Sequence, residues 1–169
     1  MGEAAHNSHP SRPPHLQGEE LTTWSGLATV LEWLPALLDA QLRRDADLTH
    51  FEYGVLFALA KAPERRLRMS VLAGYANSSL TRLSRAVTRL EGRGYAERAV
   101  DDDDGRYTLA QLTDAGSAAF EAATPGHTAL VRQLVLDALT EEQRSQLREI
   151  SESILAAAGP GTPWPGTGR

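Results

Sequence analysis

The stretch 72-LAGYANSSLTRLSRAVTRLEGRGYAER-98 decides how the chain is read. Ser79 stands where a helix N-cap belongs, and the helical run after it ends at Gly94, a residue suited to the left-handed position that follows a helix. Within the run, Leu80, Leu83, Val87 and Leu90 recur at steps of three, four and three, which sets them on one core-facing side. The opposite side shows Thr81, Arg82, Ser84, Arg85, Thr88 and Arg89, hydroxyls and guanidiniums with no carboxylate among them. Guanidiniums pair with phosphates or guanine edges, and hydroxyls donate to phosphates or to either base edge, so this face suits DNA. A basic surface helix is common by itself; the elements on either side give this one its meaning.

Upstream, Ser70 is a cap candidate for a short helix, SVLAGYA, which breaks at Asn77-Ser78. Before it, Thr49 with Glu52 three residues on forms a capping-box pattern for a helix running to Pro63, and PERRLR follows as a basic turn. Earlier still, Leu21, Trp24, Leu27, Leu31, Leu34, Leu37, Leu38 and Leu42 trace a long amphipathic helix, with Pro35 as an interruption and a source of kinking. Downstream, YAERAV and RYTLAQL flank the turn DDDDG as two short strands, and Arg106 sits at the tip. Thr113 caps the next helix, Thr124-Pro125 opens its continuation, and Thr140 starts a last helix with a Leu147, Ile150, Ile154, Leu155 stripe. Two helices joined by a short turn and followed at once by a hairpin are the layout of a winged helix-turn-helix, in a chain that is mainly α with a small β-hairpin wing.

At 169 residues the chain fits one domain with an arm. Residues 1–18, rich in Pro, His, Ser and Gly, read as a flexible N-terminal arm, and 159–169 as a flexible tail. No apolar run reaches the roughly 18 residues of a membrane span, and no leader pattern opens the chain, so a soluble cytoplasmic protein is expected. The absence of cysteine removes disulfides, thiol catalysis and thiolate metal sites. His6, His9 and His15 have no organising spacing, and the folded part adds only His50 and His127, so no metal or other cofactor is expected. Net charge is −5, yet from Ser79 to Arg93 four arginines face one glutamate. The acidic excess lies elsewhere, above all in Asp101 to Asp104.

The segment 72–98, together with 104-DGRYTLAQLTDAG-116, resembles the MarR family of bacterial transcription regulators over about residues 20–158. The resemblance implies a homodimer in which the first helix (19–48) and the last two (113–158) form a dimerisation layer, while residues 49–112 form the winged DNA-binding region. The apolar surface of the long first helix and of the Leu147 to Leu155 stripe agrees with that. It also implies double-stranded DNA as partner, in the form of a pseudo-palindromic operator. Ser79, Thr81, Arg82, Ser84, Arg85 and Arg89 would enter the major groove, with Ser70 a further DNA-binding residue, and Arg106 would reach the neighbouring minor groove, held by Asp104. Asp101 to Asp103 read as solvated turn residues, or as a repulsive element that enforces one register on DNA. Val71 stands where the family often has an acidic residue, which counts against urate as effector, and Tyr95-Ala96 replace the common Leu-Val.

The function expected is a sequence-specific transcription regulator: a repressor released by a small-molecule effector on the leading reading, an activator or a regulator without ligand on the other. Trp24, Trp33, Tyr53 and Phe57 are candidate pocket walls, with core packing the plainer reading of their helical spacing; His50 and His127 could titrate or meet an anionic ligand, with a surface or satisfied histidine the plainer reading. An enzyme is not expected: no phosphate loop, nucleophile elbow or metalloprotease motif occurs. The rival from another class is an interaction adaptor that keeps the fold without specific DNA binding.

Overall fold

The computed structural model describes residues 15–101 and 104–159. Most of the expected arm and tail, as well as Asp102 and Asp103, therefore lie outside the described residues. The chain divides into two compact units, Met1–Pro35 and Ala36–Arg169. Helix α1 (Gly18–Ala46) begins in the first and ends in the second, running through Pro35 although that residue cannot donate the usual hydrogen bond one turn back. In the first unit Leu21, Trp24, Val30, Leu31 and Trp33 are exposed; in the second, Leu38, Gln41 and Leu42 of α1 are buried.

The second unit is built on local signals that the sequence states openly. Thr49 caps α2 (His50–Lys61) in a complete capping box with Glu52, Ser79 caps α4 (Leu80–Gly92), Thr113 caps α5 (Asp114–Val131), and Thr140 with Gln143 boxes α6 (Glu141–Ala158). Gly94, at φ +71°, takes the left-handed position after α4 as expected. Leu42, Leu48, Val55, Leu56, Leu59, Leu72, Leu83, Val87 and Leu90 form the fully buried heart of one core.

Four details depart from the sequence reading. Ser70 is not a cap: α3 spans Met69–Tyr75 with Arg68 before it, no side chain caps the helix, and Ser70 lies exposed in the first turn. The segment read as a basic turn contains a third strand, β1 (Arg66–Arg68), so the hairpin of β2 (Ala96–Val100) and β3 (Thr108–Leu112) becomes a three-stranded antiparallel sheet in the order β1-β3-β2. Leu80, at the start of α4, is 54% exposed, and Ala86 completes the buried stripe in its place. Thr124-Pro125 opens no new helix: α5 runs on through it, and the Thr124 hydroxyl donates back to the Phe120 carbonyl at 2.7 Å, a bond made inside helices. A π-helical turn, Arg132–Leu136, follows α5.

The sheet is fastened to α5 at one tight point. Thr113 donates its backbone N–H to Tyr95 O at 3.2 Å and its hydroxyl to Gly94 O at 2.6 Å, while its Oγ1 accepts from Gly116 N at 2.9 Å. Gly116 is buried against that strand entry: a Cβ there would stand 1.9 Å from Tyr95 O. The Leu-Thr-x-x-Gly pattern at 112–116 thus joins a strand end, a cap and a close backbone approach.

Candidate nucleic-acid interface

Helix α4 owes its orientation to Leu83, Ala86, Val87 and Leu90, all fully buried, which turn Thr81, Arg82, Arg85, Thr88 and Arg89 to solvent. The arginines differ in their ties. The Arg82 guanidinium lies 4.5 Å from the centroid of the Phe51 ring, a cation–π placement. Arg85 is exposed and has no hydrogen-bonding or ionic partner among the described residues. Arg89 donates its Nε to Glu52 Oε1 at 2.5 Å. Burial pushes the Glu52 carboxyl up, but hydrogen bonds from Thr49 and Arg89 outweigh it and hold the group below its ordinary value. The face that carries no carboxylate in sequence is therefore supplied with one by α2. An open cleft of about 430 Å³ beside the helix is lined by Arg43, Arg82, Arg85 and Arg89 against the single carboxylate of Asp39.

Ser84, half-buried, and the exposed Thr88 are both tied to the sheet. Arg98 of β2 donates through Nη2 to Ser84 O at 2.9 Å, to Ser84 Oγ at 3.1 Å and to Thr88 Oγ1 at 3.2 Å, while its Nη1 pairs with the Glu91 carboxylate. Sequence reasoning passed over Arg98, whose partners lie one helix away and show in no local pattern.

At the hairpin turn, Asp104 grips Arg106 with both oxygens. Oδ1 accepts from Nε at 2.9 Å and from the Arg106 backbone N–H at 3.2 Å, and Oδ2 accepts from Nη2 at 2.6 Å. The guanidinium lowers the Asp104 pKa and is itself held more firmly protonated, while the Arg106 side chain remains 83% exposed. Asp101 overturns its reading as a solvated turn residue: it is buried and paired with Arg68 of β1, because β1 brings a cation to that end of the sheet. Arg68 and Asp101 are the residues of the wing that sequence reasoning missed, since the strand that unites them was itself unseen.

The candidate effector residues fall in different surroundings. Trp24 and Trp33 are exposed on the first unit, at 52% and 68%. In the second unit Tyr53 and Phe57 pack around Phe120, with ring centroids 5.4 and 6.2 Å away, and Tyr53 also meets His127 at 4.4 Å. Among the described residues no group of three acidic or histidine side chains could hold a metal ion, and no helix is long and apolar enough to cross a membrane.

A three-stranded wing beside a capped helix with a polar, arginine-bearing outer face defines the winged helix-turn-helix class. The MarR family model matches residues 46–106. The chain is 41% identical to Sco3205 of Streptomyces coelicolor, a MarR family transcriptional regulator crystallised in complex with DNA; the match covers 89% of this chain and 94% of that one, with a TM-score of 0.84. AbsC, a MarR family transcriptional regulator of the same organism, is 29% identical over 86% and 98% of the two chains, with a TM-score of 0.82. A variant of E. coli MarR complexed with operator DNA, 23% identical over 80% and 94%, shares the fold at a TM-score of 0.70. No curated protein sequence matches the chain. The chain belongs to the MarR family of transcriptional regulators.

Proposed function

We propose that this regulator is a homodimeric repressor that reads a pseudo-palindromic operator, placing α4 in the major groove and Arg106 in the adjacent minor groove, and that leaves the DNA when a small-molecule effector binds. The observation that carries the reading is the pairing of two DNA-suited elements on one sheet-and-helix unit: the exposed Thr81, Arg82 and Arg85 of α4, and an exposed guanidinium at the wing tip fixed by Asp104. The crystal structure of Sco3205 with DNA supports it.

A second copy of the chain is supported by uncovered apolar surface. Helix α6 buries none of its residues, and Leu147, Ile150, Ile154 and Leu155 along it are 41–55% exposed. Independently, Leu21, Trp24, Val30, Leu31 and Trp33 are exposed on the first unit. Surfaces of this kind mark interfaces. In the effector response, Tyr53 and Phe57 are the aromatic side chains of the second unit that would meet the ligand.

The deciding experiment is a fluorescence-anisotropy titration of the purified protein against its own upstream intergenic DNA, with excess non-specific competitor and at two salt concentrations. Saturable binding that survives competitor is expected. Binding that competitor or modest salt abolishes would reject the repressor reading and put the adaptor reading ahead.

A further inference from the structure

The two legs of the wing are tied together by a residue outside the DNA-facing set. Arg68 ends β1, where pairing with β3 sets it opposite Leu109. Its Nε donates to Asp101 Oδ2 at 2.5 Å, and its guanidinium carbon lies 4.3 Å from the centroid of the Tyr107 ring. Asp101 precedes the hairpin turn and Tyr107 follows it, and the two are joined by Asp101 N donating to Tyr107 O at 3.0 Å. Tyr107 N in turn donates to Asp104 O at 3.0 Å, so the backbone that carries the Asp104–Arg106 pair is tied into the same group.

A planar guanidinium suits this task better than an ammonium would, because it can donate in its plane while its face lies over an aromatic ring. Asp101, only 7% exposed, has its charge answered there by Arg68. The field of Arg68 also reaches Asp104, where it adds to the larger effect of Arg106 in favouring the ionised carboxylate.

We propose that Arg68 is a positioning residue for the wing: by clasping Asp101 and Tyr107 on the two legs of the hairpin, it holds the Asp104–Arg106 pair in the one orientation that reads DNA. This rests on the reading of Arg106 as a DNA contact.

The test is a double-mutant cycle on operator affinity with Arg68→Ala, Arg106→Ala and the double variant, each measured across a salt series. Arg68→Ala alone is expected to weaken binding about two- to tenfold, and to add nothing further once Arg106 is gone, because it acts through that residue. Losses that multiply, with the slope of log K against log salt flattened by a further unit or so, would mean that Arg68 touches a phosphate itself, and the inference would fall. An unchanged affinity for Arg68→Ala would overturn it as well. If Arg106→Ala alone leaves affinity intact, the reading of Arg106 is what fails, and the inference falls with it. Should Arg68→Ala not fold, Asp101→Asn breaks the same clasp from the other side and is read through the same cycle.

Discussion

Arg89, on the outer face of α4, is bound to Glu52, the capping-box residue of α2, through an Nε to Oε1 hydrogen bond of 2.5 Å. One carboxylate thus closes the first turn of α2 and also fixes a cation of the helix read as entering DNA. Arg89 consequently has a structural duty that Arg85, without such a partner among the described residues, does not have.

The consequence is a separation of effects between two neighbouring arginines. Arg89→Ala strands a buried carboxylate and is expected to cost about 1–3 kcal/mol of folding stability. Arg85→Ala should leave stability within about 0.5 kcal/mol of the parent and flatten the salt dependence of operator binding by about one unit of slope. Urea denaturation and salt-series titrations of both variants check the contrast; equal stability losses would refute it.

Asp104 yields a prediction opposite in sign to a simple charge argument. Removing a negative charge from a face proposed to meet phosphates should tighten binding if charge alone mattered. Because Asp104 grips Arg106 with both oxygens, Asp104→Ala is expected instead to weaken specific binding and to raise the share of non-specific binding. A competition titration against non-specific DNA reads both quantities, and tighter specific binding would refute the positioning role.

Gly116 has no room for a side chain. The nearest atom that an added Cβ would meet, Tyr95 O at 1.9 Å, is backbone and cannot swing aside. Gly116→Ala is expected to cost roughly 3 kcal/mol, at the upper end for overpacking, and to loosen the wing along with α5. A thermal melt settles the first part, and amide exchange across 94–100 the second.

The two histidines of the second unit set an acid limit on stability. His50 and His127 face each other with ring centroids 5.6 Å apart. Burial lowers both pKa values; His50 lowers that of His127 further, and Asp39 offsets part of the effect on His50. Since the folded pKa lies below the unfolded value of about 6.5, the unfolded chain takes up protons first as pH falls. The contribution is therefore whole above about pH 6.5 and lost below it, ahead of the carboxylates Asp39 and Glu52, whose lowered values act at more acid pH. Urea midpoints at pH 7.5 and 5.5 should differ, and the difference should shrink in His127→Phe. An undiminished difference would place the titration elsewhere.

What the sequence made legible was whatever a few neighbouring residues decide. Thr49, Ser79, Thr113 and Thr140 announce their helices because a cap and its partner lie within three or four residues. Strand β1 escaped notice because three residues carry no usable alternation and its partner β3 lies about forty positions downstream. Ser70 fits a cap pattern locally, but α3 begins at Met69, directly after β1, which leaves Ser70 inside the first turn. Leu80 fitted the period of α4 but sits beyond the edge of the core, a distinction that periodicity cannot draw. The site followed the same division: the Asp104–Arg106 grip is local and was legible, while the partners of Arg89, Ser84 and Asp101 arrive from α2, β2 and β1.

The Arg98 guanidinium, shared among Ser84, Thr88 and Glu91, has a mechanical consequence. Its hydrogen bonds rivet strand β2 to the middle of α4, so the helix and the wing proposed to meet DNA form a single jaw. In the proposed dimer, two such jaws would act like a caliper set to the pitch of the operator. Under the proposed release, a ligand would need to disturb neither surface, because opening the caliper by a small angle would put both jaws out of step with their grooves.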